Sequence, residues 1–565
     1  MIFHFNKLLQ ILIIFVYILL SSQALAKNWT PNQIGAFLSS KMARATTDIE
    51  AAAYYAKFAY NRNTESNGLA LIALEALTAN GQVNEAVSIS SKIANKMPEI
   101  SIVQYLQSLK FMKSNNYNVV SEIFNNITPT GIDNYILPIL QTWAATSNNK
   151  HIEGLEIIQN EANKGILAPI YDYHAALIYE YMGDDEAALR HYQNIINKAN
   201  TANAKVYITA ALFFEKIGQN NLKIETLNKL EQLDPYSNEL IIFKNTKSLS
   251  NSNMILSPKD GIAEIFLNSA ELLYNEGLNM QALIFAQMAK YLNSNIDECN
   301  YLLARIFRSI NNNDRSLKYF NNISNNSYVS YDAKIAIAEM KYSIEGINSS
   351  INYLNNIILN QPKNINFSRT MAELYYKEED YNNSIIIYDK IIDDINNIEF
   401  KHWPLLYSTA IALERGKQWK KAEKYFLLTL QFVPDNPQVL NYLGYSWIDQ
   451  GVHIEKAFSM IEKAVEQRPN DGYIIDSLGW AYYQIGKYEE AVEQLEKASQ
   501  LLSDVIIIDH LGDALFYTDR KIEALFQWER ALKFNPSQEL KVIIQDKING
   551  KITPKAGVNA KSEPI

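Results

Sequence analysis

Small residues recur every 34 positions along this chain, and that spacing decides how it can fold. In the clearest unit, Ile475, Leu478, Gly479 and Tyr482 are followed by Ala491, Leu495 and Ala498. The unit before it carries Leu443, Gly444 and Trp447, then Ala457, Ile461, Ala464 and Pro469. The unit after it carries Leu511, Gly512 and Leu515, then Ala524, Trp528, Ala531 and Pro536. Two antiparallel helices approach closely only where facing residues are small, so Gly479 is expected opposite Ala491, with Tyr482 and Leu495 filling the seam. Ala498 leaves room for the next first helix, and Pro469 and Pro536, lacking an N–H, close the second helices. A lone hairpin of this kind buries only part of its apolar surface, so the units must stack.

The register extends backwards. Ser40, Leu74, Ser108, Thr142, Ala176 and Ala211 take the first-helix marker position, although Leu74 is large for it. Ala270, Ala304, Ala338, Ala372 and Thr409 continue the series to Gly444. Ala86, Ala188, Ala282, Ser316, Ser350, Ser384 and Ala422 supply the small second-helix position. Gly81, Gly183, Gly218, Gly277, Gly416, Gly451 and Gly486 fall where each first helix must turn. This order resembles the tetratricopeptide repeat, and the resemblance implies an all-α, right-handed superhelical solenoid of about fourteen helical hairpins in two arms. Residues 27–235 form a degenerate N-terminal array and 262–536 the C-terminal array. The interruption at 236–261, with its Ser/Asn run and Pro258-Lys259-Asp260-Gly261, reads as a linker, although Glu239 to Lys247 could form a short helix. Gln538 to Ile548 reads as a capping helix, and 552–565 as a loose tail.

Residues 1–26 read as an address. Lys7 precedes an apolar run from Leu8 to Leu20, and Ala24-Leu25-Ala26 is a small-x-small cleavage site. That run is too short to span a bilayer comfortably, so the expectation is a cleaved signal peptide, a mature chain starting at Lys27 and a periplasmic location. The alternative is an uncleaved anchor in the inner membrane. No later stretch reads as a transmembrane span, which leaves peripheral association as the expected link to the envelope. The formal charge of −9 offers no footprint for nucleic acid. The single Cys299 can form no internal disulfide; a packing role is expected, with intermolecular pairing the alternative.

Catalytic constellations are missing from the sequence. The seven histidines are scattered over separate units, and no metal-binding, phosphate-binding or nucleophile motif appears. Glu489-Glu490 reads as a solvated helix face, and Asp184-Asp185-Glu186 as a helix start favoured by the macrodipole. Asp509 and His510 are adjacent on a helix, so their side chains diverge. The expectation is a non-enzyme without cofactor or metal.

Between Pro434 and Pro536 the chain is similar to a particular class of exported Gram-negative repeat protein. The carrying segments are Leu440-Asn441-Tyr442-Leu443-Gly444-Tyr445-Ser446, Ile474-Ile475-Asp476-Ser477-Leu478-Gly479-Trp480-Ala481 and Asp509-His510-Leu511-Gly512-Asp513. The resemblance is to outer-membrane lipoproteins that serve as adaptors for a periplasmic carboxyl-terminal processing protease. Lys27 stands where such a protein has its lipid-bearing cysteine. The resemblance places first helices on the concave face and implies protein or extended-peptide partners. The groove residues are then Asn441, Tyr445, Asp449, Asp476, Trp480, Tyr483, Asp509, Asp513 and Phe516, an aromatic lane interleaved with carboxylates. Such a lane suits an extended segment bearing apolar and basic residues. Packing of Tyr445 and Trp480 against neighbouring helices is the alternative, as is a structural scaffold in an outer-membrane or polysaccharide-export assembly.

Overall fold

Every first-helix marker from Ser40 to Gly512 is buried, Leu74 included. The computed structural model describes residues 32–147, 152, 154–156, 158, 168–198, 204–234, 236–246, 255–361 and 364–557. Among them there are α-helices and two 3-10 turns but no strand. The leader expected at 1–26, the cleavage site expected after Ala26 and the tail beyond 557 lie outside the described residues. No described helix is long and apolar enough to cross a membrane. The repeating hairpins make the protein an all-α tetratricopeptide-type solenoid.

The chain divides into two compact units, Met1–Ile344 and Glu345–Ile565. In the first, the hairpin helices are α1 (Gln33–Ala45), α2 (Ile49–Arg62), α3 (Asn67–Ala79), α4 (Val83–Ile93), α5 (Ser101–Lys113), α6 (Tyr117–Asn125) and α7 (Asp133–Thr146). They continue as α8 (Ala168–Met182), α9 (Asp185–Lys198), α10 (Ala204–Lys216), α11 (Asn220–Leu233) and the short α12 (Asn238–Thr246). Then come α13 (Pro258–Asn275), α14 (Asn279–Leu292), α15 (Asp297–Ser309), α16 (Asn313–Asn321) and α17 (Ser330–Glu345). The second unit holds α18 (Ile347–Asn360), α19 (Ile365–Lys377), α20 (Tyr381–Asp393), α21 (Trp403–Arg415), α22 (Trp419–Phe432) and α23 (Pro437–Gln450). It ends with α24 (Ile454–Gln467), α25 (Gly472–Gln484), α26 (Tyr488–Leu501), α27 (Val505–Tyr517), α28 (Lys521–Ala531) and α29 (Gln538–Ile548).

The turn between paired helices needs one left-handed residue, usually seven positions past the marker. Gly486 fills it at φ +82°, and Asp519 takes the same place at φ +58° one repeat later. A side chain in that conformation costs roughly 1–2 kcal/mol, which the stacked repeats absorb. Gly416 is not the turn residue that the spacing predicts: its φ is −74°, and Lys417 is the left-handed one. The slot falls eight positions past the marker there, as it does at Gly346 after Ala338.

The 236–261 stretch does not separate two arms. It contains α12, and Pro258 opens α13. Gly261 lies so close to Trp143 of α7 that a Cβ would stand 2.2 Å from the indole. Helices α13 and α14 pack back onto α3, α5, α7 and α8. Arg315 on α16 reaches both the side chain and the carbonyl of Asn80, at 2.6 and 2.9 Å, and Tyr291 donates to Asn84 at 2.8 Å. A half-buried Lys205 on α10 bridges Glu264 of α13 and Glu298 of α15, at 2.7 and 3.3 Å. The first unit therefore closes on itself, and the division falls at 344/345. Cys299 is fully buried on α15, and burial, with Glu298 beside it, pushes its thiol up. It is a packing residue; no second chain can reach its sulfur without opening the core.

In the second unit each hairpin stacks on the next, and α29 lies on α28. Leu540, Ile544 and Ile548 of α29 cover the last apolar face, with Ile544 fully buried.

Candidate functional site

The site is built on α23, α25 and α27, whose starts are fixed by side-chain caps. Asn436 accepts from the N–H groups of Gln438 and Val439, Asp471 from Tyr473 and Ile474, and Asp504 from Ile506 and Ile507. Close packing then sets the rotation of each helix. A Cβ at Gly479 would meet Leu495 at 2.6 Å, and one at Gly512 would meet the Trp528 indole at 2.4 Å. With those faces turned towards the second helices, the residues expected to line a groove lie on the other faces of the first helices.

The acids in that face are not free. Asp476, Asp509 and Asp513 are all buried. Asp476 meets the ring Nδ1 of His510, one repeat later, at 2.9 Å. Asp509 and Asp513 share the ammonium of Lys547 from α29, whose Nζ lies 2.7 to 2.9 Å from all four carboxylate oxygens. Trp528 also donates to Asp513 at 3.1 Å. The expected row of exposed acids is therefore corrected: three of the four carboxylates are internal ion-pair partners, and only Asp449 is exposed. The preference for a basic ligand loses its basis with them, because a buried, paired acid neither steers nor attracts.

The aromatic residues come together as expected in part. Trp480 stacks on Tyr483 at 4.8 Å between centroids and on His510 at 4.0 Å. Tyr445 is half-buried, and its hydroxyl is pushed up by burial and then by Asp449 and Asp476. Phe516 stands apart from that stack, packed on Trp528 of its own hairpin. Asn441 is half-buried on α23. Among the described residues, Asn441 Oδ1 and Trp480 Nε1 are covered and have no hydrogen-bond partner, which native interiors rarely leave so.

The stretch 552–565 does not begin as a loose tail. The Tyr483 hydroxyl donates to the carbonyl of Lys555 at 2.7 Å, and Tyr517 donates to that of Pro554 at 2.7 Å. The Gly557 N–H donates to the Tyr488 hydroxyl at 3.4 Å. The three tyrosines form one cluster, with Tyr488 and Tyr517 stacked at 4.6 Å. Pro554 and Gly557 are buried while Lys555 and Ala556 are exposed. Sequence reasoning missed His510, Lys547, Tyr488 and this docking. Lys547 was findable, since it follows Leu540 and Ile544 at helical spacing and so faces inwards.

The charge cluster predicts a pH dependence. Burial opposes the His510 imidazolium, but Asp476, aided by Asp509 and Asp513, outweighs it and holds the ring above its ordinary range. Such a raised base stabilises the fold below its unfolded value and loses that contribution as pH rises through the folded one. Burial, then repulsion from Asp509, raises Asp513 to about 6 despite Lys547. An acid raised in the fold destabilises it once ionised. Both effects have the same sign, so the second unit should melt at lower temperature as pH goes from about 5.5 to about 8. His510→Gln should flatten that slope in a calorimetric pH series; a slope left unchanged would remove His510 from the account.

Tetratricopeptide repeat family models match residues 475–501 and 172–199. The TPR repeat-containing protein PA4667 of Pseudomonas aeruginosa is 34% identical over 109 residues, which is 19% of this chain and 18% of that protein. The chain thus matches less than a fifth of that relative's length. Among solved structures, the Cut9–Hcn1 hetero-tetramer of the APC/C aligns over 92% of this chain and 96% of its own at 12% identity and TM-score 0.37. MamA from Desulfovibrio magneticus aligns over 31% of this chain and 96% of its own at 19% identity and TM-score 0.26.

Proposed function

We propose that this chain of tetratricopeptide repeats is an exported scaffold, without chemistry of its own, that holds an extended protein segment on the inner face of α23, α25 and α27. One observation carries the reading: a stretch of non-helical polypeptide, the chain's own residues 554–557, already lies against the C-terminal ends of α25 and α27 and the start of α26, held through its main chain by tyrosine hydroxyls. Recognition of main-chain groups supplies affinity without demanding one sequence, which suits an adaptor. The resemblance of 434–536 to envelope protease adaptors, and the leader at 1–26, support a periplasmic site of action and the presentation of substrates to a protease.

The test is capture of partners from periplasmic extract by the full chain, with the N-terminus of the recovered bait sequenced. The bait should begin at Lys27. Trp480→Ala should weaken capture about thirtyfold, roughly 2 kcal/mol, as expected for an aromatic anchor. Tyr445→Ala should weaken it less, and circular dichroism should be unchanged in both. Equal capture by all three folded proteins would sink this face as the binding surface. Recovery of a secretion or polymer-export complex in place of a protease would favour the structural-scaffold alternative.

A further inference from the structure

We infer that residues 552–557 are a resident ligand of the tyrosine cluster, and that a partner segment reaches this face only when the chain's own tail leaves it. The inference rests on the reading of this face as a peptide-binding site and adds its regulation. Three features make the contact that of a ligand. First, its hydrogen bonds use main-chain atoms of the tail and side-chain hydroxyls of the repeats, and main-chain hydrogen bonds are what give a bound peptide affinity that does not depend on its side chains. Second, the segment is seated at two points: Pro554 and Gly557 are sunk while Lys555 and Ala556 between them remain exposed. Third, the seat is selective at one position. A Cβ on Gly557 would stand 2.4 Å from the carbonyl oxygen of Tyr483 and 2.5 Å from that of Gln484, so only glycine fits there.

The donors are also fixed for the task. Burial, and then the Asp513 carboxylate, push the Tyr483 hydroxyl up, and burial does the same to Tyr517. Both stay protonated donors at any physiological pH. The tail leaves α29 at Ile548, only a few residues before Pro554, so its local concentration at the cluster is of millimolar order. A free segment of equal intrinsic affinity at micromolar concentration is therefore excluded until the tail lets go. The matching partner is an extended segment with proline and, three residues on, glycine.

The experiment uses the full chain and a fluorescent peptide copying residues 551–557. Wild type should bind the peptide poorly. Gly557→Val, which ejects the tail without touching the repeats, should bind it at least about tenfold more tightly, the factor set by how fully the tail had closed the site. Adding Tyr483→Phe and Tyr517→Phe to that chain should abolish the gain, as should a peptide carrying the Gly557→Val change. The gate is overturned if the Gly557→Val chain, with unchanged circular dichroism, binds no better than wild type, or if wild type already binds as tightly. The two readings fail separately. Loss of the gate with Trp480-dependent partner capture intact overturns only this inference. A working gate with no effect of Trp480→Ala on partner capture overturns only the assignment of the partner to this face.

Discussion

Ala491→Glu is expected to unravel the last three hairpins while leaving the first unit folded. Ala491 is fully buried on α26, and its carbonyl lies 3.3 Å from where a Cβ on Gly479 would be. A glutamate there must displace the α25–α26 seam and leave a carboxylate without a partner. Overpacking and an unpaired buried charge together cost about 3–5 kcal/mol. In a stack held by nearest-neighbour interfaces, a loss of that size at one hairpin also removes the support of the next. Thermal melting followed by circular dichroism should show an early transition, and limited proteolysis should cut between α25 and α29. Ala491→Ser, which keeps the volume small, should melt near wild type. An unshifted curve for the glutamate variant would mean that Ala491 does not face Gly479, and with it the register fails.

The register was legible because helix approach leaves a size signature. Gly444, Gly479 and Gly512 announce close contact, and the burial of Ser40, Thr142 and Thr409 shows that a hydroxyl serves the same slot by bonding a nearby carbonyl. The site was legible only in its aromatic half. Trp480 and Tyr483 stack on each other, as side chains three residues apart on one helix can, but Asp476, Asp509 and Asp513 were placed by helix geometry without their partners. Lys547 and His510 come from other helices, and spacing within one repeat says nothing of them. The closure of the first unit was hidden for a related reason. Gly261 reads as a loop residue beside Pro258, whereas it is small because Trp143 presses on it from 118 positions away in the chain. The tail was illegible in principle, because its bonds are made by main-chain carbonyl and N–H groups that nearly every residue possesses.

Lys547→Met is expected to be the most damaging conservative change in the second unit. Met keeps the length and apolar stem of the side chain but leaves Asp509 and Asp513 facing each other in a buried site. Removing one partner from a buried ion cluster typically costs about 3–5 kcal/mol, because the remaining charge is neither solvated nor paired. Here two acids are orphaned together, and the charge on one raises the proton affinity of the other, as Asp513 already shows. The loss should therefore depend on pH in a defined direction. With the ammonium gone, Asp513 should move further up, so one acid takes a proton as pH falls and the repulsion is relieved. The difference in melting temperature between wild type and Lys547→Met should be large at pH 8 and shrink towards pH 5. Adding Asp509→Asn and Asp513→Asn should restore most of the stability at pH 8, since neither partner is then charged. The ion cluster also sits beside the tyrosine seat, with Asp513 acting on Tyr483. The triple variant should accordingly keep the tail docked, readable as an unchanged low affinity for the 551–557 peptide, while Lys547→Met alone should release it as α29 lifts. A Lys547→Met protein that melts with wild type at pH 8 would show that the cluster contributes nothing net to holding the cap.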